Sequence, residues 1–451
     1  MSIEDPQVII RLGSHAEKEY LDKTLRFFDG LILGANLVEA TPGATSSLLV
    51  KFGGPKNDQP YFIDPMTYAF GAYTDEMGKL REDLGWIKSD QKRNGRIVKD
   101  FKRSYRALAT ALGETFESSI SRKRAINPDD FKNASKKRDC CRAVANYQIQ
   151  RIADEFCSDS ELTQFADKAP RPSAIYAPYF YCETKQAGRW LDLVVDLAST
   201  TVSLKLPSPV HAVICVDQSF LSDPAFLKRI KSEIPDSGVT GVWLWFSRFY
   251  EDKAEIKELE AFRSLVESLN KSVKVYNMHG GYFSLALSRF GMSGISHGVG
   301  YGEQKDVLPV IGQSAPTVRY YLPGTYKKFG VPDIELCFNQ LGISTPNDFH
   351  KKICNCVICK GVVRSSLSEY SAFGEMHYSR EESLKRTQTP SAAKRSRFHF
   401  LLTRIREREE LKNQSSSDIV ASLEKSQQIW GSQRSLKKDL QHLRYWKDAL
   451  S

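Results

Sequence analysis

Ala212-Val213-Ile214-Cys215-Val216 and, one helical segment later, Gly241-Val242-Trp243-Leu244-Trp245-Phe246 decide the fold. Each is an unbroken apolar run of strand length, and the segment between them, 223–233, carries its apolar residues at helical spacing. A strand covered on both faces loses the alternation of a half-exposed one, and helix-covered parallel sheets bury both faces. The same rhythm continues outward. Ala174–Tyr181 and Val273–Met278 read as strands, and 186–199, 253–270 and 282–290 read as helices. Tyr61-Phe62-Ile63-Asp64-Pro65 adds a short strand closed by an acid and a proline. Strand and helix in alternation mean a parallel sheet with crossover helices. The expected fold is an irregular (β/α)8, TIM-like barrel, with an open doubly wound sheet as the second choice. No Gly-x-Gly-x-x-Gly follows a strand, so nothing argues for a dinucleotide site.

Beyond this core the texture changes. Residues 1–50 are mixed, with an apolar segment from Phe27 to Val38. Residues about 75–165 read as a helical insertion in a barrel domain spanning 1–345. A smaller unit is expected over 346–415, with a polar, basic link at 379–397, and a helical tail over 416–451 that breaks near 431–435. The net charge of +10 is uneven, with Lys/Arg runs at 92–104, 122–143 and 380–412, which suits an anionic partner such as nucleic acid. No apolar run is long enough to span a bilayer. Met-Ser-Ile-Glu-Asp-Pro lacks the charged and apolar regions of a secretory leader, and scattered cysteines suit a reducing compartment. The expected location is the cytoplasm, with no membrane partner.

Cys354-Asn355-Cys356-Val357-Ile358-Cys359 places three of the nine cysteines within six residues. Such a turn can present three thiolates to a tetrahedral zinc ion, and metal binding then contributes to folding. The fourth ligand is expected at His399, opening a long helical pattern; His377 is the alternative. Four protein ligands leave no position for water, so the zinc is read as structural.

A barrel followed by Cys-x-Cys-x-x-Cys and a later histidine resembles the tRNA-guanine transglycosylase family. Its members insert 7-deazaguanine bases into tRNA, and one branch inserts them into DNA. The resemblance covers roughly residues 45–415 and implies that Cys354, Cys356, Cys359 and His399 hold zinc. It also implies that Asp64 sits at the catalytic rim and that Gln218, in Val213-Ile214-Cys215-Val216-Asp217-Gln218-Ser219, reads a base. Val275–Gly281 and Gly291–His297 resemble the unit that carries the family's nucleophile, but no carboxylate lies near Ser296. Trp243–Ser247 stands where the family has Gly-Gly-Leu-Ala, and the family's guanine-reading acid would fall near Phe180 or Tyr181.

Strand C-terminal ends face the active site of a β/α barrel. Here those ends carry Asp64, Asp217, Arg248, His279 and His297. Base exchange at a glycosidic carbon needs an anionic group beside C1′ and a proton for the departing base, and two carboxylates can divide these roles. Asp217 is cast as nucleophile or cation stabiliser and Asp64 as general acid/base, with the assignment reversible. His279 and His297 could move protons or bind phosphate, and Tyr179, Phe180, Tyr181, Trp243 and Trp245 could stack an extruded base. The reading is therefore an enzyme exchanging a purine or 7-deazapurine base in tRNA or DNA. A silent nucleic-acid-binding barrel beside an active subunit is the second reading, and a zinc hydrolase the third. Assembly as a homo- or heterodimer stays open.

Overall fold

Val210–Asp217 and Gly241–Ser247 lie side by side, parallel, in register from His211 against Gly241 to Asp217 against Ser247. They belong to a nearly closed barrel of eight parallel strands in this computed structural model. The structure describes residues 5–14, 17–24, 27–53, 59–71, 87–93, 96–101, 103–122, 124–158, 161–164, 169–182, 184–300, 303, 305–307, 319–378, 386–433, 436 and 439–451. The strands are β1 (Gln7–Leu12), β2 (Gly30–Gly34), β3 (Tyr61–Asp64), β4 (Ile175–Tyr176), β5 (Val210–Asp217), β6 (Gly241–Ser247), β7 (Lys274–Asn277) and β8 (Met292–His297). Their spatial order is β3-β2-β1-β8-β7-β6-β5-β4. Between β3 and β4 the seam is stitched by Ser173 N–H donating to the Tyr61 carbonyl at 2.9 Å and by the Tyr61 hydroxyl donating to the Pro170 carbonyl at 2.8 Å.

β1 is the strand that sequence reasoning did not identify. Gln7-Val8-Ile9-Ile10-Arg11-Leu12 pairs with β2 on one side and β8 on the other, joining the first strands of the chain to the last one of the barrel. The expected strand Ala174–Tyr181 is interrupted: β4 holds two residues, and Tyr181–Cys182 pairs separately on β5. The crossover helices are α1 (Ala187–Ser203), α2 (Pro224–Asp236) and α3 (Ile256–Leu269). α2 starts where Asp223 accepts the Phe226 N–H ahead of Pro224, a position whose missing N–H costs a helix nothing. Glu255 and Glu258 form the capping box of α3.

Large rings fill the barrel, stacked across the strands. Phe62 stacks on Tyr176 at 5.7 Å between centroids, Trp243 stacks on Tyr276 at 4.5 Å, and the Trp243 indole N–H donates to His211 Nδ1 at 3.2 Å. A side chain at Gly241 would run into the His211 ring at 2.7 Å, so this close strand approach requires glycine. Trp243, expected to be able to stack a base, is wholly buried in this layer. Phe180 is buried too, against Trp190 and Phe131.

The insertion is helical over Arg103–Leu112, Glu114–Ser121 and Ala134–Ser158, but Ile87–Arg93 and Arg96–Phe101 pair as antiparallel strands, which corrects the helical reading there. Residues 72–86, and 379–385 of the polar link, lie outside the described residues. The rest of that link is not a linker. Thr389 caps and Pro390 opens the long helix α4 (Pro390–Lys412), so His399 sits in its third turn rather than at its start. α5 (Ser416–Gly431) and α6 (Gln441–Leu450) complete the tail, and α6 packs on α3. Among the described residues no helix is long and apolar enough to cross a membrane.

Candidate functional site

Two tight turns and one helix build the metal cluster. The Cys356 and Cys359 amides each donate to the sulfur of the preceding cysteine, both at 3.4 Å, which curls the segment and points three sulfurs one way. His399 Nδ1 lies 3.7, 3.5 and 3.4 Å from the sulfurs of Cys354, Cys356 and Cys359. All four atoms fall within 4.8 Å of one another. A tetrahedral ion with metal–sulfur and metal–nitrogen bonds of about 2.3 and 2.0 Å separates such ligands by about 3.6 Å. The residues fit a metal. On its far side His399 Nε2 donates to the Tyr321 carbonyl at 2.6 Å, which fixes the tautomer that leaves Nδ1 free to ligate. Tyr320 stacks on the imidazole at 4.1 Å. His377, the alternative ligand, lies apart on a hairpin (Met376–Tyr378) facing Thr387.

The two acids at the strand ends have different surroundings. Asp64 is fully buried. One of its oxygens accepts from Arg11 at 2.6 Å, and the other accepts from the Tyr179 hydroxyl at 2.7 Å and the Met66 amide at 2.9 Å. Burial works against the Arg11 charge, yet Asp64 beside it raises the guanidinium pKa above its ordinary value. Tyr68 stacks on Tyr179 at 5.6 Å and meets Trp245 edge-on at 5.0 Å, closing the centre of the mouth over this pair. Tyr179 and Trp245 thus form this plug.

Asp217 stands at the rim of β5. Its Oδ1 accepts the Ser219 N–H at 3.0 Å and its Oδ2 is gripped by Arg248, whose own side chain is 60% exposed. The Tyr181 hydroxyl reaches the same oxygen at 3.4 Å. Burial raises the Asp217 pKa, but the Ser219 amide and Arg248 outweigh it and hold the carboxyl below its usual range. Arg248 itself adopts φ of +68°, a left-handed backbone that turns its side chain back to the strand end. Gln218 opens the short turn after β5, half-buried.

His279 and His297 line a separate cavity of about 700 Å³ on the flank of the mouth, between the ends of β7 and β8 and the helices α4 and α6. Sequence reasoning missed a third polar group there, Glu251. Its Oε1 accepts from the Gly281 amide at 2.8 Å and the Ser284 hydroxyl at 2.6 Å. Glu251 follows β6 by four residues, in a loop that gives no periodic signal. Burial keeps both imidazoles neutral: it drives the His279 pKa well below the usual value, helped by Arg11 and Lys305, and His297 down to about 3, helped by Arg404.

Much of the basic run 380–412 is engaged within the chain. Lys394 pairs with Glu19, Arg395 with Glu375, Arg404 with Glu407, Arg408 with Asp29, and Lys412 with Asp5 and Glu409. In the run 122–143, Arg124 pairs with Asp130 and Lys137 with Asp196. No protein-family model matches the chain. No curated protein matches it either.

Proposed function

We propose that this chain is a base-exchanging pentosyltransferase of the tRNA-guanine transglycosylase type, on a TIM-like barrel, with a purine or 7-deazapurine base and tRNA or DNA as substrates. The observation that carries this reading is the Cys354, Cys356, Cys359 and His399 cluster, which ties α4 beside a cavity at the strand ends. Barrel, thiol turn and late histidine come in the order of the resemblance. Zinc is the ion this donor set suits best, because three soft thiolates and an imidazole form a closed tetrahedral site. Bound there, zinc would supply folding energy and no chemistry.

Asp217 is the anionic group of this reading. Itself only 3% exposed, it is held ionised at the rim beneath the exposed Arg248, and a carboxylate brought beside C1′ stabilises or traps the positive charge that develops as the base departs. Asp64 serves as the counter-charge that fixes Arg11 and Tyr179, so in this reading the departing base takes its proton from water at the rim rather than from Asp64. The test is exchange of radiolabelled guanine into tRNA and into DNA. Asp217→Asn retains the cap to Ser219 but not the charge, and exchange is expected to fall at least about a hundredfold, the scale of a lost electrostatic contact to the transition state.

The buried state of Asp64 favours a second reading, a silent barrel that binds nucleic acid and partners an active subunit. Ser296, where the resemblance would want a nucleophile, donates its hydroxyl to the Met278 carbonyl. Tight binding of tRNA or DNA by the wild-type chain with no exchange of any base would select this reading.

A further inference from the structure

The flank cavity has a polar floor whose hydrogen-bonding groups lack partners. Glu251, His279, His297 and Arg404 all line it and are all more than nine-tenths buried. Glu251 Oε2, both His279 nitrogens, His297 Nε2 and Arg404 Nε have no hydrogen-bond partner among the described residues. Buried polar atoms are rarely left so, and their concentration around one cavity points to a polar guest. The rim has the opposite character. Lys305 is half-buried and Arg319 exposed, with Lys328 and Arg397 alongside. Lys328 pairs with Glu303 at 2.6 Å, Lys327 pairs with Asp252 at 3.1 Å, Arg397 donates to the Tyr20 hydroxyl at 2.8 Å and Lys253 sits over the Tyr250 ring at 5.0 Å, so Lys305 and Arg319 are taken as the cations that meet a ligand.

We propose that this cavity seats a sugar-phosphate unit, with the phosphate at Lys305 and Arg319 and the sugar hydroxyls on Glu251, His279 and His297. The floor selects the sugar. A hydroxyl can donate to the Glu251 carboxylate and either donate to or accept from a neutral imidazole, whereas a phosphate would be repelled by the carboxylate. The rim selects the phosphate: Lys305 lies in the connection that follows the eighth strand, one of the places where β/α barrels often bind one, and it lines the cavity. The volume of about 700 Å³ falls within the range of small-ligand sites. The proposal rests on the base-exchange reading for its natural ligand, a nucleotide of the substrate strand next to the reacting one, since a sugar phosphate is the repeating unit of a nucleic acid and Asp217 is not among the residues lining this cavity.

The test is isothermal titration of the full chain with ribose 5-phosphate, ribose and inorganic phosphate, alongside the guanine-exchange assay on the same samples. Ribose 5-phosphate is expected to bind at least about tenfold tighter than ribose, and Lys305→Gln or Arg319→Gln to remove about that factor, as one lost charge-assisted contact does. His297→Asn is expected to weaken ribose 5-phosphate while leaving inorganic phosphate unchanged. The two rim variants alter side chains outside the core, so an unchanged melting temperature excludes misfolding as the cause. Equal affinity for ribose and ribose 5-phosphate, or no effect of either rim variant, overturns the proposal. Exchange without sugar-phosphate binding overturns it and leaves the base-exchange reading standing; binding without exchange does the reverse.

Discussion

At the centre of the barrel mouth both Asp64 oxygens have partners, and three aromatic rings close over them. On the flank Glu251 has one oxygen bound by the chain and the other free, beside His297 in the same condition and His279 with neither nitrogen paired. The two regions share residue types and depth, and differ in whether the protein completes its own hydrogen bonds. A buried polar group that is fully paired contributes to one fixed structure, while one left unpaired beside a cavity is positioned for something from outside. Charge therefore has different consequences in the two places.

The largest effect should come from removing the roof of the flank. Cys359→Ser, or a strong chelator, is expected to release one metal per chain and abolish the folding of 346–415, because structural zinc sites contribute on the order of 10 kcal/mol. Metal analysis with thermal unfolding checks this, and the barrel transition should survive. A single transition lost as a whole would mean that centre and flank are one cooperative unit. Next comes the centre itself. Arg11→Met leaves Asp64 buried without its counter-charge and should cost about 3–5 kcal/mol in urea unfolding, with sugar-phosphate binding unchanged. Adding Asp64→Leu should recover most of that loss.

Acid should act on the flank and on the ring layer inside the barrel. The His211 pKa is lowered from 6.5 to about 4 by burial and by Lys274, and that of His297 to about 3 by burial and by Arg404. A histidine whose pKa is lowered in the fold binds its proton more readily when unfolded. Its contribution is thus fully present above pH 6.5 and declines as the pH falls toward the folded value. Going from pH 7 to pH 5 should cost about 2 kcal/mol for each. Ribose 5-phosphate should restore part of the His297 share and none of the His211 share. The smallest effect is at the rim: Asp217→Ala removes a cap and should cost about 1 kcal/mol in stability.

Sequence reading recovered what local chemistry fixes. β5 and β6 were legible because both faces are covered and the apolar runs are unbroken, and the metal ligands were legible because three sit within six residues. β1 was missed because Gln7 and Arg11 interrupt its apolar character, and Arg11 is tolerated only through Asp64, fifty-three residues away in the chain. The antiparallel pairing of Ile87–Arg93 with Arg96–Phe101 gave no signal against the helical texture around it. The basic run 380–412 read as a surface for anions in part because three of its partners, Asp5, Glu19 and Asp29, lie at the other end of the chain. Glu251 carried no motif, since its significance comes from Gly281 and Ser284 reaching it from the segment after the neighbouring strand.

The pairing of β1 with β8 also sets a schedule for synthesis. Gln7 meets Gly294, so the first strand made must wait for almost the last one before its second edge is covered. At translation speeds of ~5–20 residues per second that delay is roughly 15–60 s. Throughout it an apolar strand edge is open to neighbouring nascent chains. Ring closure is then the step at which chaperones, or a slowed ribosome, would most change the yield of folded protein.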